Sequence, residues 1–245
     1  MKTLHAIALV IMPIGLLAQT PSAAEILRRV DANILADSKI VESKMIIHGR
    51  RGTRTVVAKS WQRGGTDSFT EYLSPPREKG TKMLKLGDRL WTYSPATDRT
   101  ILISGHMLRQ SVMGSDLSYE DMMEDPSLEN TYDASIAGSE EIAGRPAWIL
   151  DLKAKSGDVA YDKRRIWVDR ERFIILRENL YAKSGKLLKQ VTIEEVERVD
   201  DRWVARSLTF KDMLKHGDGT RMLVESIHFN PDIPDHIFSK AALRR

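Results

Sequence analysis

The chain has 245 residues and no cysteine, which excludes disulfides and thiolate chemistry and leaves burial to hold the fold. Basic and acidic side chains number 38 and 34, for a net charge of +4. They are interspersed, as in Asp162-Lys163-Arg164-Arg165 and Glu194-Glu195-Val196-Glu197-Arg198, a pattern of solvated surface rather than of a nucleic-acid-binding stripe.

The amino terminus reads as an export signal over residues 1–24. Lys2 supplies the positive region, Leu4–Ala18 is nearly unbroken apolar sequence, and the small residues Ser22, Ala23 and Ala24 follow. A membrane-spanning helix needs about 20 apolar residues, so this stretch predicts a cleaved signal rather than an anchor. Cleavage after Ala18 and after Ala24 both fit. Without cysteine the mature end has no site for a thioether-linked lipid, so the expected product is soluble and exported, a single domain over residues 25–245. Loss of Lys2 leaves 37 basic against 34 acidic residues, a net +3.

An amphipathic helix opens that domain. Ser22 can cap it, Glu25 sits at the capping-box position, and Ile26, Leu27, Val30 and Ile34 recur at helical spacing. Short β-branched and aromatic segments follow at 39–48, 54–62, 67–73, 81–86, 89–94 and 99–104, divided by Gly, Pro and Asp. The pattern resumes at 147–153, 161–169, 173–181, 186–199, 203–214 and 221–229. Gaps this short favour antiparallel hairpins over βαβ crossovers. The prediction is a mainly β fold, a meandering antiparallel sheet curled into a barrel or half-barrel. Two segments carry apolar residues at both parities. Leu223, Ile227 and Phe229 oppose Met222 and Val224, while Phe173 and Ile175 oppose Ile174, Leu176 and Leu180. A sheet packed between two layers explains this; so does a sheet whose inner face lines an apolar cavity.

Residues 105–130 break the strand rhythm. Ser118 can cap a short helix over 119–124, with Asp121 at its third position and Pro126 ending it. Met107, Met113, Met122 and Met123, four of the eight methionines beyond residue 24, fall in this window. Flexible, polarizable methionines suit a lid that must fit variable apolar partners as well as they suit core filling. The acidic group Asp116, Glu120, Asp121, Glu124 and Asp125 does not follow the alternation of a calcium loop. Its expected roles are helix capping and a latch to basic residues such as Arg77, Lys79 or Lys82.

Catalytic patterns are missing from the sequence. There is no G-x-S-x-G elbow, and Gly217-Asp218-Gly219 is followed by Met222 where a phosphate loop needs glycine. The six histidines are scattered, with no metal-binding pair. The expectation is a protein without enzymatic activity, cofactor or metal.

Four motifs carry a family likeness. Ser74-Pro75-Pro76-Arg77-Glu78-Lys79-Gly80-Thr81-Lys82-Met83-Leu84, Trp91-Thr92-Tyr93-Ser94-Pro95, Met113-Gly114-Ser115-Asp116-Leu117-Ser118-Tyr119-Glu120-Asp121 and Asn230-Pro231-Asp232-Ile233-Pro234 resemble the outer-membrane lipoprotein-sorting, LolA-like proteins. The likeness is to the broader branch near export transporters and spans the mature chain. It implies an incompletely closed antiparallel β-barrel of the LolA/LolB-like type, covered by short α-helices, with an interior for acyl chains. The implied role is a periplasmic carrier of lipid or acylated lipoprotein. Its implied partners are an inner-membrane export transporter and an outer-membrane acceptor. On this reading Trp61, Phe69, Trp91, Tyr93, Trp148 and Trp167 are expected in the cavity wall, and Met107, Met113, Leu117, Met122 and Met123 in the lid. The competing expectations are a periplasmic lipid-sensing regulatory module of the same fold and an exported hydrolase built on the acidic segment.

Overall fold

The structure is a computed structural model that describes residues 20–49, 52–157 and 159–245. The predicted signal up to Ala18, including that cleavage position, lies outside the described residues. Ala24 lies inside the first helix. In chain order the elements are α1 (Ala23–Ile34), β1 (Ser38–Gly49), β2 (Gly52–Arg63), β3 (Asp67–Ser74), β4 (Lys82–Leu86), β5 (Arg89–Ser94), β6 (Arg99–Ile103), α2 (Tyr119–Met123), α3 (Leu128–Thr131), β7 (Tyr132–Ile142), β8 (Arg145–Ala154), β9 (Lys163–Asp169), β10 (Ile175–Tyr181), β11 (Leu187–Val199), β12 (Arg202–Asp212) and β13 (Thr220–Phe229). Short 3₁₀ turns lie at Gly105–Arg109, Val112–Gly114, Asp235–Phe238 and Lys240–Arg244.

All described strands join one antiparallel sheet in the order β6-β5-β4-β3-β2-β1-β13-β12-β11-β10-β9-β8-β7. The chain starts in the middle of the sheet and steps outward by hairpins to β6. It crosses to the far edge through residues 104–131 and steps back from β7 to β13, which pairs with β1. β6 and β7 are not hydrogen-bonded to each other, so the barrel stays open. This is the mainly β, incompletely closed architecture expected from the sequence.

Cross-strand partners point to the same side, and the register therefore traces one face across the sheet. Val56, Met45, Met222, Leu208 and Ile193 are successive partners from β2 to β11. Phe210, Val191, Glu178, Ile166 and Leu150 continue the same face to β8. We call this the inner face. α1 covers one part of it. Ser22 caps the helix by accepting from Glu25 N at 3.2 Å. Ile26, Leu27 and Val30 are buried against Trp148, Leu150, Leu152, Ile166 and Val168. Full burial of each such side chain contributes about 1.5–3 kcal/mol. Asp31 follows on the same helix and caps α3, accepting from Ser127 Oγ at 2.8 Å, Leu128 N at 3.0 Å and Glu129 N at 3.1 Å. Burial raises its pKa against those three hydrogen bonds.

Two details depart from the sequence reading. β7 and α3 occupy a stretch that carries no strand or helix pattern. β7 is an edge strand whose interior positions are mostly exposed, so no apolar alternation marks it. The segments that read as apolar at both parities contain β-bulges. An irregularity in the β1–β13 pairing lets Met222, Val224, Ile227 and Phe229 pair with Met45, Ser43, Val41 and Lys39, bringing all four onto the inner face. A second in β10 does the same for Ile175, Glu178 and Leu180.

Candidate functional site

Between α1 and strands β10–β13 the inner face is left uncovered, forming a cavity of about 340 Å³. This lies at the small end of the range for ligand sites. Its helical wall is Val30 and Ile34, and the turn before β10 adds Phe173. The sheet supplies Ile175, Val191, Ile193, Leu208, Phe210, Ile227 and Phe229. Both bulges described above are needed to bring their residues here. Charged groups reach the cavity at two points. Lys39 donates from Nζ to Ile34 O at 3.0 Å. Burial pulls its pKa down, with Arg202 nearby adding to the effect. Glu178 accepts from Arg164 Nη1 at 2.9 Å.

Residues 105–124 cover the neighbouring part of the inner face. Met107, Leu108, Met113, Leu117, Tyr119, Met122 and Met123 pack on Met45, Ile47, Val56, Tyr72, Met83 and Leu90 of β1–β5. The end of this cover is held by charge. Asp121 reaches back to Ser118 N at 2.6 Å, closing the capping box of α2. The same carboxylate accepts from Lys189 Nζ and from Tyr161 Oη. Glu124 pairs with Arg164 and accepts from Ala160 N at 3.1 Å. Arg164 also stacks over Tyr132, its guanidinium carbon 4.7 Å from the ring centre.

This cluster is nearly dry, with the Arg164 and Lys189 side chains only 10% and 9% exposed. Three carboxylates face two cations. Burial pushes the Glu124 pKa up in spite of Arg164 and the Ala160 amide, with Asp121 and Glu178 adding repulsion. Arg164 is itself held more firmly protonated: burial opposes its charge, but Glu178, Tyr132 and Glu124 outweigh that. Tyr132 is raised to about 12, chiefly by burial. Arg164 thus joins residues 105–124, through Glu124, to the cavity wall, through Glu178.

The predicted lid residues all lie in the segment over the inner face. The predicted wall residues lie elsewhere. Trp61, Phe69, Trp91 and Tyr93 occupy the outer face, packed with Leu84 against Ile237, Ala242 and Leu243 of the C-terminal 3₁₀ turns. Trp167 points opposite to its inner-face neighbours Ile166 and Val168, and donates from Nε1 to Glu140 at 2.6 Å. Trp148 faces inward but lies beneath α1, its ring 5.3 Å from that of Phe173. None of the six lines the cavity. Aromatic size marked them, whereas cavity access depends on register and on what covers each face. The latch partners also differ from expectation. Arg77 lies 4.0 Å from Glu78, and Lys82 bonds the Arg245 carbonyl. Asp121 and Glu124 find Lys189 and Arg164 on distant strands, pairings that sequence spacing does not encode. Among the described residues no group of three or more His, Asp or Glu side chains is placed to hold a metal ion. Nor is any helix among them long and apolar enough to cross a membrane.

A family model described only as an uncharacterized protein matches residues 64–245. No curated protein matches the sequence. Solved structures share the fold along nearly the whole chain. A DUF1329 family protein from Desulfovibrio piger is 24% identical, with a TM-score of 0.81, covering 90% of this chain and 97% of its own. A domain assigned as an outer membrane lipoprotein-sorting protein from Vibrio parahaemolyticus is 22% identical, with a TM-score of 0.78, covering 91% and 98%. A LolA superfamily protein from Nitrosomonas europaea is 22% identical, with a TM-score of 0.76, covering 91% and 100%.

Proposed function

We propose that this chain, which belongs to the uncharacterized protein family matched over residues 64–245 and has a LolA-like fold, is a periplasmic carrier. It takes lipid or lipoprotein acyl chains into the inner-face cavity and passes them across the envelope without catalysis. The observation that carries this reading is the apolar cavity beside α1, whose wall residue Glu178 is joined through Arg164 to Glu124 of the neighbouring lid. Burying a methylene is worth about 0.8 kcal/mol, so a 14-carbon chain gains up to ~11 kcal/mol gross. Capture is easy on that scale, and release is the harder problem.

The latch addresses release. A buried ion pair gains Coulomb energy but loses the hydration of both charges, and the two nearly cancel. The raised pKa of Glu124 is the sign of that desolvation cost. A lid held this way closes against water yet opens at modest cost, keeping net affinity below the gross burial energy. The expected partners are an inner-membrane export transporter as donor and an outer-membrane acceptor.

The decisive experiment is to purify the protein from its host and identify extracted lipids by mass spectrometry, alongside uptake of a fluorescent fatty acid. Co-purifying lipid and saturable uptake are expected. Ile193→Trp, which fills the cavity, should abolish uptake with the circular dichroism spectrum unchanged. Recovering no lipid together with no uptake would overturn the carrier. Replacing Met122 and Met123 by Asp tests the lid in the same assay, and unchanged uptake there would overturn its assignment.

A further inference from the structure

The hairpin joining β12 to β13 has no packing role that explains its tip. Met213 and Leu214, at 43% and 58% exposed, form an adjacent apolar pair at the end of the hairpin. Lys211 precedes the pair and the exposed Lys215 and His216 follow it. Met213 N donates to Leu188 O at 2.8 Å, which sets the tip beside the β10–β11 turn with its exposed Lys183 and Lys186. The nearby acids are Asp212, paired to Lys215 at 3.4 Å, Asp218, and Asp116 of the lid segment, which is taken up by Asp212 N and Thr220 Oγ1. At the opposite end of the same strands, the β11–β12 turn carries Asp200 and Asp201 between Arg198 and Arg202 and has no exposed large apolar side chain. An apolar tip ringed by lysines, at one end only, is complementary to an anionic lipid surface.

The tip is also tied to the lid. Lys215 Nζ donates to Ser111 Oγ at 2.7 Å and to Ser115 O at 2.8 Å. Asp116 accepts from Asp212 N at 3.0 Å and from Thr220 Oγ1 at 2.7 Å. The hairpin base is tight, because a side chain at Gly219 would collide with the Phe210 carbonyl. The Lys215 and Asp212 hydrogen bonds connect the tip directly to residues 111–116.

We propose that Met213 and Leu214 dock the protein on an anionic bilayer, and that docking loosens the lid as Lys215 exchanges Ser111 and Ser115 for lipid phosphate. This rests on the carrier reading, to which it adds the surface where cargo enters or leaves. The test is co-sedimentation with vesicles of phosphatidylcholine alone and with phosphatidylglycerol added. The wild type is expected to bind only the anionic vesicles. Met213→Ser with Leu214→Ser should weaken that binding about ten-fold or more, while uptake of free fluorescent fatty acid from solution stays at the wild-type level. Substitutions at such exposed positions leave folding nearly untouched. Lys215→Gln should speed uptake from solution and remove any further acceleration by anionic vesicles. Equal binding to both vesicle types, no binding to either, or wild-type binding by the double variant would overturn the docking surface. Vesicle binding without uptake would overturn the carrier reading instead.

Discussion

Two segments cover the inner face of the sheet, and they are held in opposite ways. α1 lays a stripe of Ile26, Leu27 and Val30 onto β8 and β9, and all three are essentially removed from water. Its one buried charge, Asp31, is fully occupied in capping α3. α2, in the lid, has no fully buried residue, and over residues 105–124 Val112 is the one buried apolar side chain. Methionines rest on the sheet, and a handful of directional contacts from Asp116, Asp121 and Glu124 fix the segment in place. Apolar burial is non-directional and has no substitute in water. An ion pair or hydrogen bond can be exchanged for hydration at small net cost. On the carrier reading one cover is a permanent wall and the other a removable one, although both lie on the same sheet.

Weakening each cover in turn separates the two. Leu27→Ala leaves a hole under α1 and should lower global stability by about 2–5 kcal/mol, read from denaturant midpoints at constant m-value. Asp121→Asn removes the charge partner of buried Lys189 and should cost about 1.5–3 kcal/mol. Amide exchange over residues 105–124 should then accelerate roughly ten- to hundred-fold, with α1 still protected. If α1 amides exchange as fast as those of the lid, the distinction between wall and lid fails.

Acidity offers a gentler perturbation. In the closed lid Glu124 faces Arg164, Asp121, Glu178 and the Ala160 amide, and burial raises its pKa above the usual 4.5. In an open lid it would be hydrated and return to the ordinary value. The closed form therefore binds the proton more tightly. Closure is favoured as pH falls into the window just above 4.5 and weakens as pH rises through the raised value. Lid opening, measured by a fluorophore at Glu120→Cys, should increase from that window toward neutrality. Glu124→Gln should flatten the profile, and an unchanged profile would remove Glu124 from lid control.

The same contrast explains how much of the molecule was legible in the sequence. α1 announces itself through capping and a 3.6-residue stripe, and most strands through turn chemistry, because those signals are local. β7 gives no such signal, since both of its faces meet water. The bulges are invisible for a related reason. Met222, Val224, Ile227 and Phe229 look two-faced in a regular strand, and only the pairing with β1 shows that they share a face. The helical segment over the inner face was legible from Ser118 and Asp121, and its apolar contacts from the methionines. Its partners Lys189 and Arg164 were not, lying 68 and 40 residues away from Asp121 and Glu124. The tryptophans misled because bulk says nothing about which side of a sheet is covered.

The smallest effect concerns where the permanent wall begins. Ser22 accepts from Glu25 N and so closes the first turn of α1. If the export signal read from the sequence is cleaved after Ala18 the mature chain keeps that cap, whereas cleavage after Ala24 would remove it and cut into the helix. A cap of this kind is worth about 1 kcal/mol. A wall that depends on α1 staying in place favours the upstream cut, so amino-terminal sequencing of the exported protein should begin at Gln19. Ser22→Ala should then lower its stability by about 1 kcal/mol and leave lid exchange unchanged. A mature chain beginning at Glu25 would show instead that the stripe of Ile26, Leu27 and Val30 holds α1 without its cap. Burial would then account for the wall even more completely than the comparison with the lid requires.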